Sequence, residues 1–159
     1  MTKQRPAGSK ESPAVSHSAS GKRPSASDLL DRAVLSARNA YAPYSAFRVG
    51  AVALTEAGTV ATGCNVENAS FPVGVCAERN AIAAAVMAEG PGMRLAAVAI
   101  AALDPKGEPI ACAPCGACRQ TILEFGPKAR VIFRSGDAVT EVFAEALLPG
   151  AFSFARAPS

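Results

Sequence analysis

Three cysteines and one glutamate sit in patterns that could do chemistry most side chains cannot. Cys115 and Cys118 form a C-x-x-C pair inside "APCGACRQ" (113 to 120), and Cys76 opens "CAER", with Glu78 two residues on. Such a pair can be a redox couple, half of a structural metal knot, or part of a catalytic metal site. Dithiol redox proteins usually carry the pair early in the domain and without a distant third cysteine, whereas this pair comes late. Zinc commonly takes a C-x-x-C pair plus partners that the fold brings close, and Cys76 is the natural third ligand. Cys112, in "CAPCGAC", could supply a fourth sulfur, and four thiolates would leave no open position.

Glu78 tips the balance towards catalysis. A carboxylate beside an open zinc position can take a proton from a bound water, whose pKa falls to about 7, and deliver it elsewhere. Its bland alternative is to complement the positive end of a helix dipole. The only histidine is His17, near the N-terminus, so the folded body has no candidate for Ser-His-Asp or Cys-His machinery.

These residues need elements to position them. "SDLLDRAVLSARNAYAPY" has apolar residues at helical spacing, with Ser27 or Asp28 as its cap. "FRVGAVALTEAGTVATGCNVEN" reads as two strands around a turn at Gly58. "CAERNAIAAAVMAEG" is helical in composition and stops at Gly90-Pro91, and "LAAVAIAAL" suits a strand buried on both faces. "CGACRQTILEFG" gives a helix stopped by Gly126-Pro127, "ARVIFR" a further strand, and "AVTEVFAEALL" a last helix with Thr140 as cap. This order predicts an α/β fold, a mixed sheet with helices on both faces. Two of the helices begin with cysteine, and helix N-termini favour thiolate over thiol.

A chain of 159 residues with 50% hydrophobic content is expected to form one domain with a real core. Abundant alanine and absent tryptophan suggest helices packed closely on a sheet. Residues 1–27, rich in Ser, Pro, Lys and Gly, are expected to be a disordered tail. That tail holds Lys3, Arg5, Lys10, Lys22 and Arg23 against Glu11, about +4, so of the chain's formal charge of +3 the remainder contributes near −1. Such a body is not built to neutralise many phosphates, so nucleic acid is not an expected partner. No apolar run reaches the roughly 18 to 20 residues of a membrane span, and no apolar leader opens the chain. Five cysteines without a secretory signal favour metal or catalytic use in a reducing, cytoplasmic setting.

"CAER" at 76–79 followed by "PCGACRQ" at 114–120 resembles the zinc-dependent cytidine deaminase family, of the small homotetrameric type. The superfamily signature is H-x-E and then P-C-x-x-C, with an all-cysteine variant that "CAE" and "PCGAC" match. The likeness runs from about Tyr41 to Phe152. It implies a three-layer α/β/α sandwich with a mixed, roughly five-stranded sheet, residues 28–159 forming the catalytic domain. It also implies one Zn²⁺ per subunit on Cys76, Cys115 and Cys118, with Glu78 as proton carrier, and deamination of cytidine and 2′-deoxycytidine with release of ammonia.

"NVEN" is similar to the family segment that holds the ribose hydroxyls, which assigns Asn65 and Glu67 to substrate. By the same likeness "YSAFRVGA" puts Phe47 against the pyrimidine, and "LLPGAF" makes Phe152 the residue lent to a neighbouring subunit's site in a homotetramer. Arg79 is the candidate to hydrogen-bond the cysteine sulfurs and offset their charge. Two departures stand out: Phe71 where many members carry tyrosine, so any hydrogen bond of that hydroxyl is missing, and the additional Cys112, which reads as a buried small residue. A deaminase of a cytosine nucleoside antibiotic such as blasticidin S would share this metal core. A zinc-stabilised binding module without catalysis would instead require a fourth thiolate.

Overall fold

Alternation of small and branched apolar residues in "RVGAVALT" and "TVATGC" folds as the expected hairpin. In the computed structural model, which describes residues 15–17 and 23–154, β2 (Arg48–Thr55) and β3 (Thr59–Cys64) pair antiparallel around a turn with Gly58 at φ +93°. The remaining strands are β1 (Val15–His17), β4 (Leu95–Leu103), β5 (Pro109–Ile110), β6 (Arg130–Ser135) and β7 (Ala138–Phe143). They form one sheet in the order β1-β3-β2-β4-β6-β7, with β5 also paired to β4. Only β4 and β6 run parallel, so the sheet is mixed as expected. Its continuous body is the five strands from β3 to β7, and β1 and the two-residue β5 are additions to it.

Three helices cover the two faces. Helix α1 (Ala26–Ala37) packs Leu29 and Ala33 on Val52, Leu54, Val60, Ala97 and Ala99. Helices α2 (Ala77–Glu89) and α3 (Gly116–Phe125) bury Ala77, Ala81, Ile82 and Ile122 on the other face, with Ala51, Ala53, Val98 and Ile100. From Ala97 to Ala102 the odd residues of β4 thus face α1 and the even ones face α2 and α3, so both faces of the strand are buried and both are apolar. No helix among the described residues is long and apolar enough to cross a membrane.

Helix and sheet approach so closely that two strand positions have no room for a side chain. A Cβ on Gly50 would stand 2.0 Å from the Ala33 carbonyl oxygen, and one on Gly63 would stand 2.4 Å from the Ala81 nitrogen. Both helices therefore seat backbone on backbone, as the alanine-rich composition suggested.

The structure departs from the sequence reading in three places. Helix α1 begins earlier, because Ser25 caps it: its hydroxyl accepts the Asp28 N–H at 3.2 Å while the Asp28 carboxylate accepts the Ser25 N–H at 2.9 Å. Asp28 is thus the reciprocal partner of a capping box and neither Asp28 nor Ser27 is the cap. The last segment is not a helix capped by Thr140; it is β7 followed by a 3-10 turn, Ala144–Leu147. Ser135 pairs with Ala138 across Gly136-Asp137, and Gly136 alone has positive φ (+60°), a type II′ hairpin turn. Val139, Thr140, Val142 and Phe143 favour the strand, and Arg130 meets Glu141 across it at 3.0 Å. Finally, the tail contributes β1, paired to the otherwise open edge of β3, with Val15 against the α2-side core. Residues 1–14 and 18–22 of that tail lie outside the described residues.

Cys64 at the end of β3 pairs with Gly50, which pairs with Ala101 near the end of β4, so β3 and β4 finish at one end of the sheet. Helices α2 and α3 follow those strands and open at that end, where ligand sites of open α/β sheets form. Gly63→Ala is expected to lift α2 from the sheet at a cost of about 3 kcal/mol, the upper part of the range for over-packing. Urea unfolding measures this; a midpoint equal to the parent's would mean that α2 does not rest on this strand.

Candidate metal centre

Cys76 and Cys115 are the N-caps of α2 and α3, both in extended backbone (φ −71°, ψ 153° and φ −68°, ψ 166°), and Cys118 lies one turn into α3. A serine or aspartate at such a position would bend back to cap the helix, and its absence costs on the order of 1 kcal/mol. Neither cysteine makes a side-chain cap. The sulfurs turn towards one another instead: the Sγ atoms of Cys76, Cys115 and Cys118 all lie within 4.8 Å, with 3.9 Å between those of Cys76 and Cys115. Cys118 is buried, Cys76 half-buried and Cys115 exposed.

The donor chemistry fits zinc. The hydrogen bond from Cys118, aided by lesser contributions from Cys115 and the charge of Arg79, pulls the Cys76 thiol down to about 6, while the same bond and burial push Cys118 up. Only a cation at the centre lets all three become thiolates together. Cys112 is not part of the group. Its side chain packs half-buried against the α2-side core, its N–H donates to the Arg134 carbonyl at 3.0 Å, and burial raises its thiol to about 11. Three converging sulfurs among the described residues leave a tetrahedral ion one open vertex, which separates this centre from a closed four-thiolate knot.

Glu78, in the first turn of α2, is only 4% exposed. Burial raises its pKa, opposed by hydrogen bonds from its own backbone N–H and from Cys118. The carboxyl therefore stands against the sulfur cluster, as the sequence spacing suggested.

Beside Cys76 opens a cleft of about 400 Å³, walled among others by Tyr44, Asn65, Glu67 and Phe71. Val66 and Val75 exchange two backbone hydrogen bonds, both 3.0 Å, which hang "NVEN" next to the metal ligand. Asn65 donates its amide to the Phe47 carbonyl (2.9 Å) and accepts the Val49 N–H (2.7 Å). Glu67 accepts the Tyr44 N–H (2.9 Å), the Ser45 N–H (3.3 Å) and the Ser45 hydroxyl, and these bonds, the hydroxyl's first, hold its carboxyl below the usual range. Both residues thus grip the turn that carries Phe47, in which Ala46 takes the left-handed φ of +56°. Tyr44 and Ser45 escaped the sequence reading; the turn-forming "APYS" was the available signal.

Other expected residues lie elsewhere. Phe47 is partly exposed and does not line the cleft, while Phe71, strongly exposed, meets the Tyr44 ring edge-on at 6.0 Å. Phe152 is 72% exposed and borders a different cavity, about 1130 Å³, formed near the starts of β4 and β6 and the end of α3. It does not reach the sulfurs of its own chain. Arg79 is exposed and, among the described residues, makes no hydrogen bond to a sulfur; it acts on Cys76 through its charge.

Comparison with known proteins agrees with this geometry. Residues 24–134 match the family described as the cytidine and deoxycytidylate deaminase zinc-binding region. A cytidine deaminase of Halalkalibacterium halodurans is 41% identical over 128 residues, which cover 79% of this chain and 92% of that protein. One from Mycobacterium tuberculosis is 41% identical over 121 residues, 72% of this chain and 86% of its own. The crystal structure of cytidine deaminase from Burkholderia pseudomallei superposes with a TM-score of 0.67 at 43% identity, over 78% of this chain and 96% of that one. Matched to that family over residues 24–134 and about 40% identical to its members over most of its length, the chain belongs to the cytidine deaminase family.

Proposed function

We propose that this protein hydrolyses the 4-amino group of cytidine and 2′-deoxycytidine, releasing ammonia and leaving uridine and 2′-deoxyuridine, with one zinc ion on Cys76, Cys115 and Cys118. The observation that carries this reading is the convergence of three sulfurs within 4.8 Å with a buried carboxyl against them, at the wall of a cleft. The chemistry that a bound zinc supplies is Lewis acidity, which makes water a nucleophile near neutral pH.

Glu78 handles the protons. Burial makes its carboxyl readier to hold one than an exposed glutamate would be. It accepts a proton from the attacking water, passes it to ring N3, and carries the second to the amino group as the C4–N bond breaks and ammonia departs. No side chain forms a covalent bond to substrate. Arg79 offsets the excess negative charge of three thiolates through space.

Asn65 and Glu67 keep capacity for the sugar hydroxyls. Asn65 uses one N–H and one lone pair on the turn, so one N–H and one lone pair remain, and the Glu67 carboxylate can accept beyond its three present donors. Phe47 stands on the turn that this clamp holds, outside the cleft wall itself, and the family likeness of "YSAFRVGA" assigns it to the pyrimidine. Phe152 lies away from its own sulfurs, so it serves a second copy's site, in a homotetramer whose closed pocket admits a nucleoside rather than a polynucleotide. Five free thiols suit a reducing compartment, and we place the reaction in the cytoplasm, in a catalytic domain that takes in β1 and all of α1.

Glu78→Gln is expected to lower kcat by about 10²- to 10⁴-fold, the range for general acid–base groups, while elemental analysis still finds one zinc per chain. Turnover at the parent rate would reject Glu78 as the proton carrier. Chelation is expected to abolish the loss of cytidine absorbance and zinc to restore it; activity that survives in zinc-free protein would overturn the metal assignment. Phe152→Ala subunits co-expressed with Glu78→Gln subunits are expected to exceed the summed activity of the two variants made separately. Purely additive activity would place Phe152 outside the neighbour's site.

A further inference from the structure

Three successive residues of α3 do three different things. Cys118 offers a sulfur to the metal centre. Arg119 turns its half-buried guanidinium back: Nε donates to the Pro114 carbonyl at 2.8 Å, and Nη1 donates to the Leu147 carbonyl at 3.2 Å. Gln120 donates through Nε2 to the Phe152 carbonyl at 3.0 Å.

Pro114 immediately precedes Cys115. Its ring fixes φ, and Arg119 holds the direction of its carbonyl, so the peptide plane leading into Cys115 is determined from both sides. The other end of the guanidinium is anchored on a turn that does not drift: Ala144 N–H donates to the Ala129 carbonyl (3.0 Å), Glu145 N–H to the Pro127 carbonyl (3.1 Å), and Leu147 packs on the α2-side core. A planar fork can satisfy two carbonyls from different segments at once, which a lysine ammonium on its flexible stem does far less well. We propose that Arg119 is a positioning residue for the metal centre, which sets the backbone ahead of Cys115 and, with Gln120, makes that ligand and the arm bearing Phe152 one mechanical unit. This rests on the zinc reading above; its consequence is that loss of Arg119 weakens metal retention and the order of the C-terminal arm together, whereas loss of Gln120 loosens the arm alone.

The test uses zinc-loaded full-length protein and three variants, Arg119→Gln, Arg119→Lys and Gln120→Ala. Two quantities are followed: the rate of zinc transfer to a chromogenic chelator, and hydrogen exchange of peptides from residues 112–118, 145–154 and the centre of β4. Arg119→Gln is expected to release zinc about ten-fold faster, the lower end of what lost outer contacts to a metal site do, with faster exchange at 112–118 and 145–154 but not in β4. Arg119→Lys keeps the charge without the fork and is expected to release zinc nearly as fast. Gln120→Ala is expected to loosen 148–154 while zinc release stays within two-fold of the parent. Parent-like zinc release from Arg119→Gln, full rescue by Arg119→Lys, or exchange that rises equally in β4 overturns the proposal. If Arg119→Gln does not fold, Arg119→Lys and Gln120→Ala decide it by the same criteria. A parent protein without zinc would instead sink the metal reading, so the two failures are distinct.

Discussion

Three thiolates cannot share a space 4.8 Å across unless a cation joins them, and this constraint organises the molecule. Two like charges about 4 Å apart repel by on the order of 4 kcal/mol at the effective dielectric near a protein surface. The fold brings the sulfurs of Cys76, Cys115 and Cys118 to that separation regardless, placing two at helix caps where a hydroxyl or carboxylate would have been worth more to stability. Its partial remedies are the positive ends of two helices, the nearby charge of Arg79, and the hydrogen bond from Cys118 that favours the Cys76 thiolate. A divalent ion is the full remedy, and the geometry leaves such an ion one vertex for chemistry.

Holding the sulfurs there requires two helices whose starts do not move relative to each other. Helix α2 rests on the bare backbone at Gly63, and α1 rests likewise at Gly50 on the opposite face. Small residues thus replace the interdigitating large ones of a thicker core, and the contact distances leave little freedom for sliding. The abundance of alanine is the compositional trace of this arrangement. Along β4 the same economy shows on the α1 side, where Ala97, Ala99 and Ala101 are all alanine, while Val98 and Ile100 fill the other side.

The cleft beside the centre is built on a second kind of constraint, hydrogen-bond saturation of a turn. Asn65 and Glu67 belong to a segment tied to the residue just before Cys76, and they reach across to the backbone from Tyr44 to Val49. The same two side chains thereby set the turn that carries Phe47 and line the cleft beside Cys76. A polar residue with unspent bonding capacity can hold a turn and still offer groups to the cleft, so the motif's side chains are structural here as well. The lowered pKa of Glu67 keeps it an acceptor for the turn throughout the neutral range.

Much of this could be read from local pattern. Helix periodicity, apolar runs and Gly-Pro stops located α2, β4, α3 and β6, and the cysteine and glutamate spacing located the metal centre. Where reading failed, competing local signals were of similar strength: "AVTEVFAEALL" mixes helix formers with β-branched residues, and the Gly136 turn with the partner strand β6 decided for β7. Ser25 capped α1 because its reciprocal partner was Asp28, and β1 exists because β3 would otherwise present an open edge. The sequence by itself determined which side chains could bind a cation and move a proton, since that follows from side-chain type and short-range spacing. Only the tertiary structure decided that Cys112 stays out of the sulfur group, that Asn65 and Glu67 grip the Phe47 turn, and that Phe152 stands apart from its own centre. Each of these depends on distances between residues far apart along the chain, which close packing sets and no local pattern encodes.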